Sequence, residues 1–366
     1  NLILLSFFLF KGDIYIFGFI KNYYIYGFMY TSNSKINNQL SFWLISMFWI
    51  ISIMIIVGGL TRLTDSGLSI TQWQLFSGFL PPLNKSDWII YFNLYKEIPE
   101  FKLQNFDMSL EEFKVIFWWE WIHRFLARLT GICFLIPLIF FSFKIKISRL
   151  LNLYFIFFLI CLQGFLGWYM VKSGLVDRTD VSHFRLSMHL TMAFLILSLI
   201  FWNYLKINLV NNINNSLGSI IPLTLLILVF LQIAVGAFVS GMDGGKIYNS
   251  WPLMGTTFFP NDNTLYSLFK LTAFSEPSLV QFMHRNLAYI ILGVYLITLY
   301  ITISKKLVRF NQTILILGII LLLQIVLGIL TVTSGAQMFI ASMHQISSIL
   351  LVSFSVYFLY INTKKN

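Results

Sequence analysis

The sequence predicts an all-α polytopic membrane protein, with eight transmembrane helices arranged as two tandem, pseudo-symmetric four-helix bundles. Three observations carry this. Of 366 residues, 58% are apolar and 11% are charged, a composition foreign to soluble domains of this size. The apolar residues gather into eight runs, each about 20 residues long, the length that crosses a bilayer as a helix. The second half of the chain repeats landmarks of the first. Since only helices and closed barrels satisfy their own backbone in hydrocarbon, continuous runs of this length mean helices.

The runs cover residues 40–60, 119–143, 150–171, 186–205, 219–240, 281–303, 312–333 and 341–361. The odd-numbered ones end in a small-residue signature. It reads Val57-Gly58-Gly59 in the first, Gln163-Gly164-Phe165-Leu166-Gly167 in the third, Gln232-Ile233-Ala234-Val235-Gly236 in the fifth and Gln324-Ile325-Val326-Leu327-Gly328 in the seventh. Glycines there let a helix backbone, or a flat macrocycle, approach closely. The even-numbered runs each carry a histidine near their start: His123, His189, His284 and His344. His123 and His284 are 161 residues apart, and His189 and His344 are 155 apart. The repeat predicts an N-terminal bundle over 40–206 with an outer loop at 61–118, an Asn- and Ser-rich connection at 207–218 and a C-terminal bundle over 219–366. An axis along the membrane normal is the simplest relation between them. Residues 1–39 form an N-terminal extension. Its apolar start is broken by Lys11, Asp13 and Lys21, contains no Arg before the first run, and receives no assignment.

The formal net charge of +11 suggests nucleic acid only until its distribution is considered. Lys144, Lys146 and Arg149 follow the second run, Lys206 the fourth, Lys305, Lys306 and Arg309 the sixth, and Lys364 and Lys365 the eighth. The opposite loops differ: Arg62 to Glu120 holds five basic and eight acidic residues, and Gly241 to Glu276 two basic and three acidic. The positive-inside rule then places both termini on the cytoplasmic or matrix side, with the long loops and the four histidines toward the other. The basicity is topological, and no nucleic-acid partner is expected. The long loops are expected to be ordered caps. The first carries Pro81-Pro82, aromatics between Trp73 and Phe92, and a short helix over Ser109–Phe117, where Ser109 and Glu112 form a capping box. The second carries Tyr248-Asn249-Ser250-Trp251-Pro252.

Four buried imidazoles at matched depth in a membrane suggest ligands. Haem iron takes axial imidazoles from opposite faces, one from each of two facing helices. His123 with His189, and His284 with His344, satisfy this within each half. A histidine hydrogen-bonded inside a bundle is the competing reading for any one position, and is weaker for four together. Two histidines without Cys, Asp or an HExxH partner make a poor zinc set. Cys133 and Cys161 lie inside spans, with no CxxC or CxxCH, and read as small apolar core residues. Glu120, three positions before His123 and on the same helix face, is either a solvated interfacial carboxylate or a proton carrier beside the N-terminal site, where burial would raise its pKa. The matching position before His284 is Gln281, so the halves are chemically unequal and the N-terminal one reads as reactive. Arg124, Arg128, Arg185 and Arg285 flank the histidines and suit haem propionates or interfacial snorkelling. Arg62 and Asp65 serve the same pocket or pair with each other. His183 reads as a non-ligand, and Trp118, Trp119 and Trp121 as an interfacial belt.

The run Val57-Gly58-Gly59-Leu60-Thr61-Arg62-Leu63-Thr64-Asp65-Ser66-Gly67-Leu68-Ser69 resembles the first-helix signature of the haem A synthase family, of the alphaproteobacterial and mitochondrial type. The resemblance continues through Ile98-Pro99-Glu100-Phe101-Lys102, Met108 to Lys114, Glu120 to Arg124, Leu166 to Leu175, Tyr248 to Pro252 and Val280 to Arg285. It covers nearly everything after residue 40. It implies an enzyme that oxidises a methyl group of haem O to a formyl group, through hydroxylated intermediates, giving haem A for cytochrome c oxidase. In the family, positions matching His284 and His344 ligate a haem B cofactor that delivers electrons. Those matching His123 and His189 belong to the substrate-haem site, and the one matching Glu120 is tied to catalysis. Other bacterial relatives carry paired cysteines in the outer loops, and this chain has none there, so disulfide control is not expected. Implied partners are haem O, haem O synthase, the oxidase assembly machinery and the lipid bilayer. The resemblance names no electron donor and leaves room for a homo-oligomer. The membrane is the mitochondrial inner membrane or a bacterial plasma membrane. Two rivals use the same four histidines: a di-haem b-type cytochrome that only passes electrons, and a haem carrier without catalysis.

Overall fold

The computed structural model describes residues 30–73, 77–209 and 217–363. The N-terminal stretch 1–29, connector residues 210–216, and Lys364 and Lys365 lie outside them. The described residues form ten α-helices and no named strand: α1 (Ser34–Leu63), α2 (Lys85–Lys96), α3 (Pro99–Leu103), α4 (Leu110–Ser142), α5 (Ile147–Asp177), α6 (His183–Asn208), α7 (Ile220–Gly241), α8 (Pro277–Ser304), α9 (Asn311–Thr333) and α10 (Met338–Asn362). Eight are long and apolar enough to span a membrane; α2 and α3 belong to the first outer loop. Large apolar side chains such as Ile136, Phe158, Tyr300 and Leu322 remain exposed on the outside of the bundle, as expected where lipid rather than water is the solvent.

Each predicted span is present, and most helices run past the apolar stretch that announced them. The short helix expected over Ser109–Phe117 is not separate. It is the opening of α4, which continues unbroken to Ser142. The Ser109–Glu112 capping box starts the helix well before the chain becomes apolar. Hydropathy marks what lies in lipid, whereas the cap marks where the helix begins. His183, expected just before the fourth span, is the first residue of α6.

Helices α1, α6, α7 and α10 pack together in the middle. Helix α4 lies against α1, α5 against α6, α8 against α7 and α9 against α10. One buried apolar cluster runs through both halves, from Leu44 and Phe48 through Phe194 and Ile200 to Val229, Ile314 and Val352. The first outer loop has a core of its own, in which Leu68, Ile70, Phe92, Tyr95, Phe113 and Phe117 close over the outer end of the N-terminal half. The second outer loop consists of short 3-10 turns and an isolated bridge between Met254 and Thr257.

Candidate functional site: two facing histidine pairs

The glycine signatures and the histidines meet. A Cβ on Gly58 of α1 would fall 3.2 Å from the His123 ring on α4, and one on Gly167 of α5 3.0 Å from His189 on α6. The corresponding distances are 2.9 Å from Gly236 of α7 to His284 on α8 and 3.0 Å from Gly328 of α9 to His344 on α10. Each imidazole thus rests on a glycine of the preceding spanning helix, where any side chain would crowd it. Gly164 and Gly131 meet nothing within 4 Å, so Gly164 shares the signature without sharing the contact.

Glutamines one turn before three of these glycines fix the histidine helices. Gln163, Gln232 and Gln324 donate through Nε2 to the carbonyls of His189, His284 and His344, at 3.1, 3.0 and 3.1 Å. Met54 occupies this place in α1. Sequence reasoning assigned the glycines a role but not these glutamines, although the repeated Gln-x-x-x-Gly spacing carries the signal.

His123 faces His189, and His284 faces His344. The ring centroids of His123 and His189 are 6.5 Å apart, and those of His284 and His344 6.4 Å. Two metal–nitrogen bonds of about 2 Å, with the distance from nitrogen to ring centre added on each side, come to about 6 Å. Both pairs therefore have the separation of two imidazoles on opposite sides of one metal ion. Among the described residues, no group of three His, Cys, Asp or Glu side chains converges as a metal site. Each pair brings two facing imidazoles together, a donor set that would suit a metal whose remaining ligands come from a macrocycle. His123 and His189 are on α4 and α6, and His284 and His344 on α8 and α10. Nδ1 of His189 and of His284 is buried without a partner. His183 is apart from both pairs, its ring against Phe184 and Phe238.

The residues three before and one after the first histidine of each pair clamp the outer loop. In the N-terminal half Glu120, only 2% exposed, accepts at Oε2 from the Ser69 hydroxyl and the Ile70 amide, both at 2.7 Å. Its Oε1 is 2.5 Å from Arg124 Nη2, which also donates to the Ile70 carbonyl at 2.9 Å. In the C-terminal half Gln281 and Arg285 both donate to the Tyr248 carbonyl, at 3.0 and 2.9 Å, and Arg285 also donates to Ser250. One clamp contains an ion pair. The other pairs a neutral amide with an arginine that has no carboxylate within ion-pair distance among the described residues.

The other arginines are dispersed. Arg128 donates to the Gly78 carbonyl and lies over Phe79. Arg185 donates to Ser173 and lies over Tyr169. Arg62 does pair with Asp65, at 2.5 Å, and reaches Asp180 at 3.8 Å and Asp243 at 3.6 Å. Its second nitrogen donates to the Ser240 carbonyl, so it joins the outer ends of α1 and α7. In the first loop Glu100, 3% exposed, leaves Oε2 without a partner. Burial, then the charges of Glu120, Asp180 and Asp65, push its carboxyl up to about 8. Sequence reading quoted this residue only within a motif. Cys133 is half-buried, but Cys161 is exposed on the outside of the bundle rather than in the core, a position an apolar thiol tolerates in lipid.

The family model for COX15-CtaA, described as cytochrome oxidase assembly protein, matches residues 41–356. A haem A synthase of Pelagibacter ubique is 49% identical over 337 residues, covering 92% of this chain and 100% of the relative. One from Rickettsia bellii is 42% identical, over 86% of this chain and 96% of its own length. One from Parvibaculum lavamentivorans is 45% identical, over 70% and 75%. The match runs through all eight spanning helices and both histidine pairs, and the chain belongs to the COX15-CtaA family of haem A synthases.

Proposed function

We propose that this chain works as a haem A synthase, oxidising a ring methyl group of haem O to a formyl group, with its two histidine pairs as two unequal haem sites. The observation that carries this reading is the two matched imidazole pairs, only one of which has a buried carboxylate three residues before its first histidine. His284 and His344 would hold haem B, which when bound supplies one-electron transfer. His123 and His189 would seat the substrate. Glu120 Oε2 already accepts two hydrogen bonds. Its Oε1, held by Arg124, is the oxygen that takes a proton when Arg124 turns toward an incoming propionate.

Arg185 and Arg285 are half-buried with neutral groups as their described partners, and a partly desolvated cation with neutral neighbours favours an anionic ligand such as a propionate. Arg124, Arg128 and Arg185 would serve the substrate and Arg285 the haem B, while Arg62 holds the outer rim beside the substrate site. A lateral groove of about 250 Å³ between α5, α6 and α7 is lined by Leu166, Met188, Thr191, Met192, Leu195 and Phe230. It offers apolar walls for the farnesyl tail. The charge distribution supports both termini on the cytoplasmic or matrix side of the membrane, with haem O arriving from a haem O synthase and the product passing to oxidase assembly.

The test is co-expression with a haem O synthase, followed by haem extraction and mass analysis of the wild type and Glu120→Ala. Haem A or its hydroxylated precursor is expected from the wild type, with the variant stalled. Haem B at both sites and no oxidised haem O would leave the di-haem cytochrome.

A further inference from the structure

A single glutamine ties the two histidine pairs together across the middle of the molecule. Gln345 follows His344 on α10, and its Nε2 donates to the Ile55 carbonyl on α1 at 2.7 Å. Its amide lies so close to α1 that a Cβ on Gly59 would fall 1.6 Å from Oε1. Gly59 adjoins Gly58, on which the His123 ring rests. One side chain therefore connects the backbone of a C-terminal histidine to the helical turn that seats an N-terminal one.

The contact is not repeated at the related positions. The residue after His189, at the related place in the other half, is Leu190, so an apolar side chain fills that position elsewhere. The residues after Gly167, Gly236 and Gly328 are Trp168, Ala237 and Ile329. The second glycine of Gly58-Gly59 is peculiar to the helix that receives Gln345. An amide within a membrane bundle is costly unless bonded, so its hydrogen bond holds the two helices it joins at one relative height. Ser187 to Ala234, at 2.9 Å, also joins the halves, but through a hydroxyl two residues from His189 rather than through the residue adjoining a histidine.

We propose that Gln345 is a positioning residue that bridges the two sites and sets the route for one electron between them, an inference that rests on the two-haem reading above. With both pairs occupied, the group held by His284 and His344 would give up one electron and be oxidised by one unit, and the group held by His123 and His189 would take that electron and be reduced by one unit. No bond is made or broken and no proton moves. The route runs from His344 through its peptide bond to the Gln345 amide, across the hydrogen bond to Ile55, and along α1 to the Gly58 turn against His123. A one-electron donor outside the chain replenishes the first iron.

The test uses the full-length protein with both sites loaded, given a pulse of photogenerated viologen radical, with electron arrival at each iron followed by rapid-freeze electron paramagnetic resonance. Gln345→Leu, which reproduces the residue at the related position, is expected to slow equilibration between the sites several-fold. Haem content and the resting spectra should stay at wild-type values. Gly59→Ala should do the same by displacing the amide, and the double variant should be no slower than either single one. Ser187→Ala, which removes a tie without touching the route, should leave the rate unchanged. An unchanged rate in doubly loaded Gln345→Leu overturns the bridge, as does loss of haem from either site, which would make the residue a packing anchor. A wild type that holds haem at one site only overturns the two-haem reading instead, a result distinguishable from both.

Discussion

Glu120 and Arg124 are a buried pair whose other partners lie in the loop above them: the Ser69 hydroxyl, the amide and carbonyl of Ile70, the Gln72 carbonyl and the Trp73 ring. Removing one member of such a pair strands the other charge, which costs about 3–5 kcal/mol. Arg124→Ala is therefore expected to lower the melting temperature in detergent, and adding Glu120→Gln should recover part of the loss, as a thermal double-variant cycle would measure. Glu100 gives the same loop a pH dependence. Its carboxyl is raised from an ordinary 4.5 to about 8, so between these values the docked loop binds more protons than the released one. Stability that is fully present below about 4.5 is lost as pH rises through about 8. Limited proteolysis within residues 85–103 should accelerate across that window in the wild type and lose the acceleration in Glu100→Gln. An unaltered profile in the variant would remove Glu100 as the cause.

At the scale of helices, the recurring unit is a glycine on one spanning helix facing an imidazole on the next. Overpacking a tight contact costs about 1–3 kcal/mol. Gly58→Ala and Gly167→Ala should therefore reduce haem bound at the N-terminal pair, and Gly236→Ala and Gly328→Ala at the C-terminal pair. Gly131→Ala and Gly164→Ala, where a Cβ meets open space, should leave both intact; haem content of the purified variants measures this. The unit was legible in the sequence because two independent patterns, small residues and histidines, repeat at related spacings in the apolar runs. The start of α4 at Leu110 was not read as part of the span, because the charged turns around Glu111, Glu112 and Lys114 hide a continuous helix from a hydropathy reading. The glutamines bonded to histidine carbonyls were missed because such bonds depend on the relative height of two helices. The contact of Gln345 with Gly59 was missed for a stronger reason: the two residues are nearly the whole chain apart in sequence and meet only once α1 and α10 pack.

At the scale of the whole molecule, the two halves share one buried core but present different chemistry at the matching places before their first histidines. The unequal clamps, Glu120 with Arg124 against Gln281 with Arg285, fit one reactive site and one electron-supplying site. The charge partition adds a directional expectation. A cysteine introduced at Asn261 should be labelled by an impermeant reagent from the periplasmic or intermembrane side, and one at Thr363 only from the cytoplasmic or matrix side. The reverse pattern would invert the proposed topology. The central claim, that the pairs are two haem sites with separate duties, is tested most directly by extracting the haems of His123→Ala and His284→Ala after co-expression with a haem O synthase. The account predicts that His284→Ala loses haem B, while His123→Ala keeps haem B and forms no haem A. Loss of the same haem from both variants, or haem A formation undiminished in His123→Ala, would contradict it.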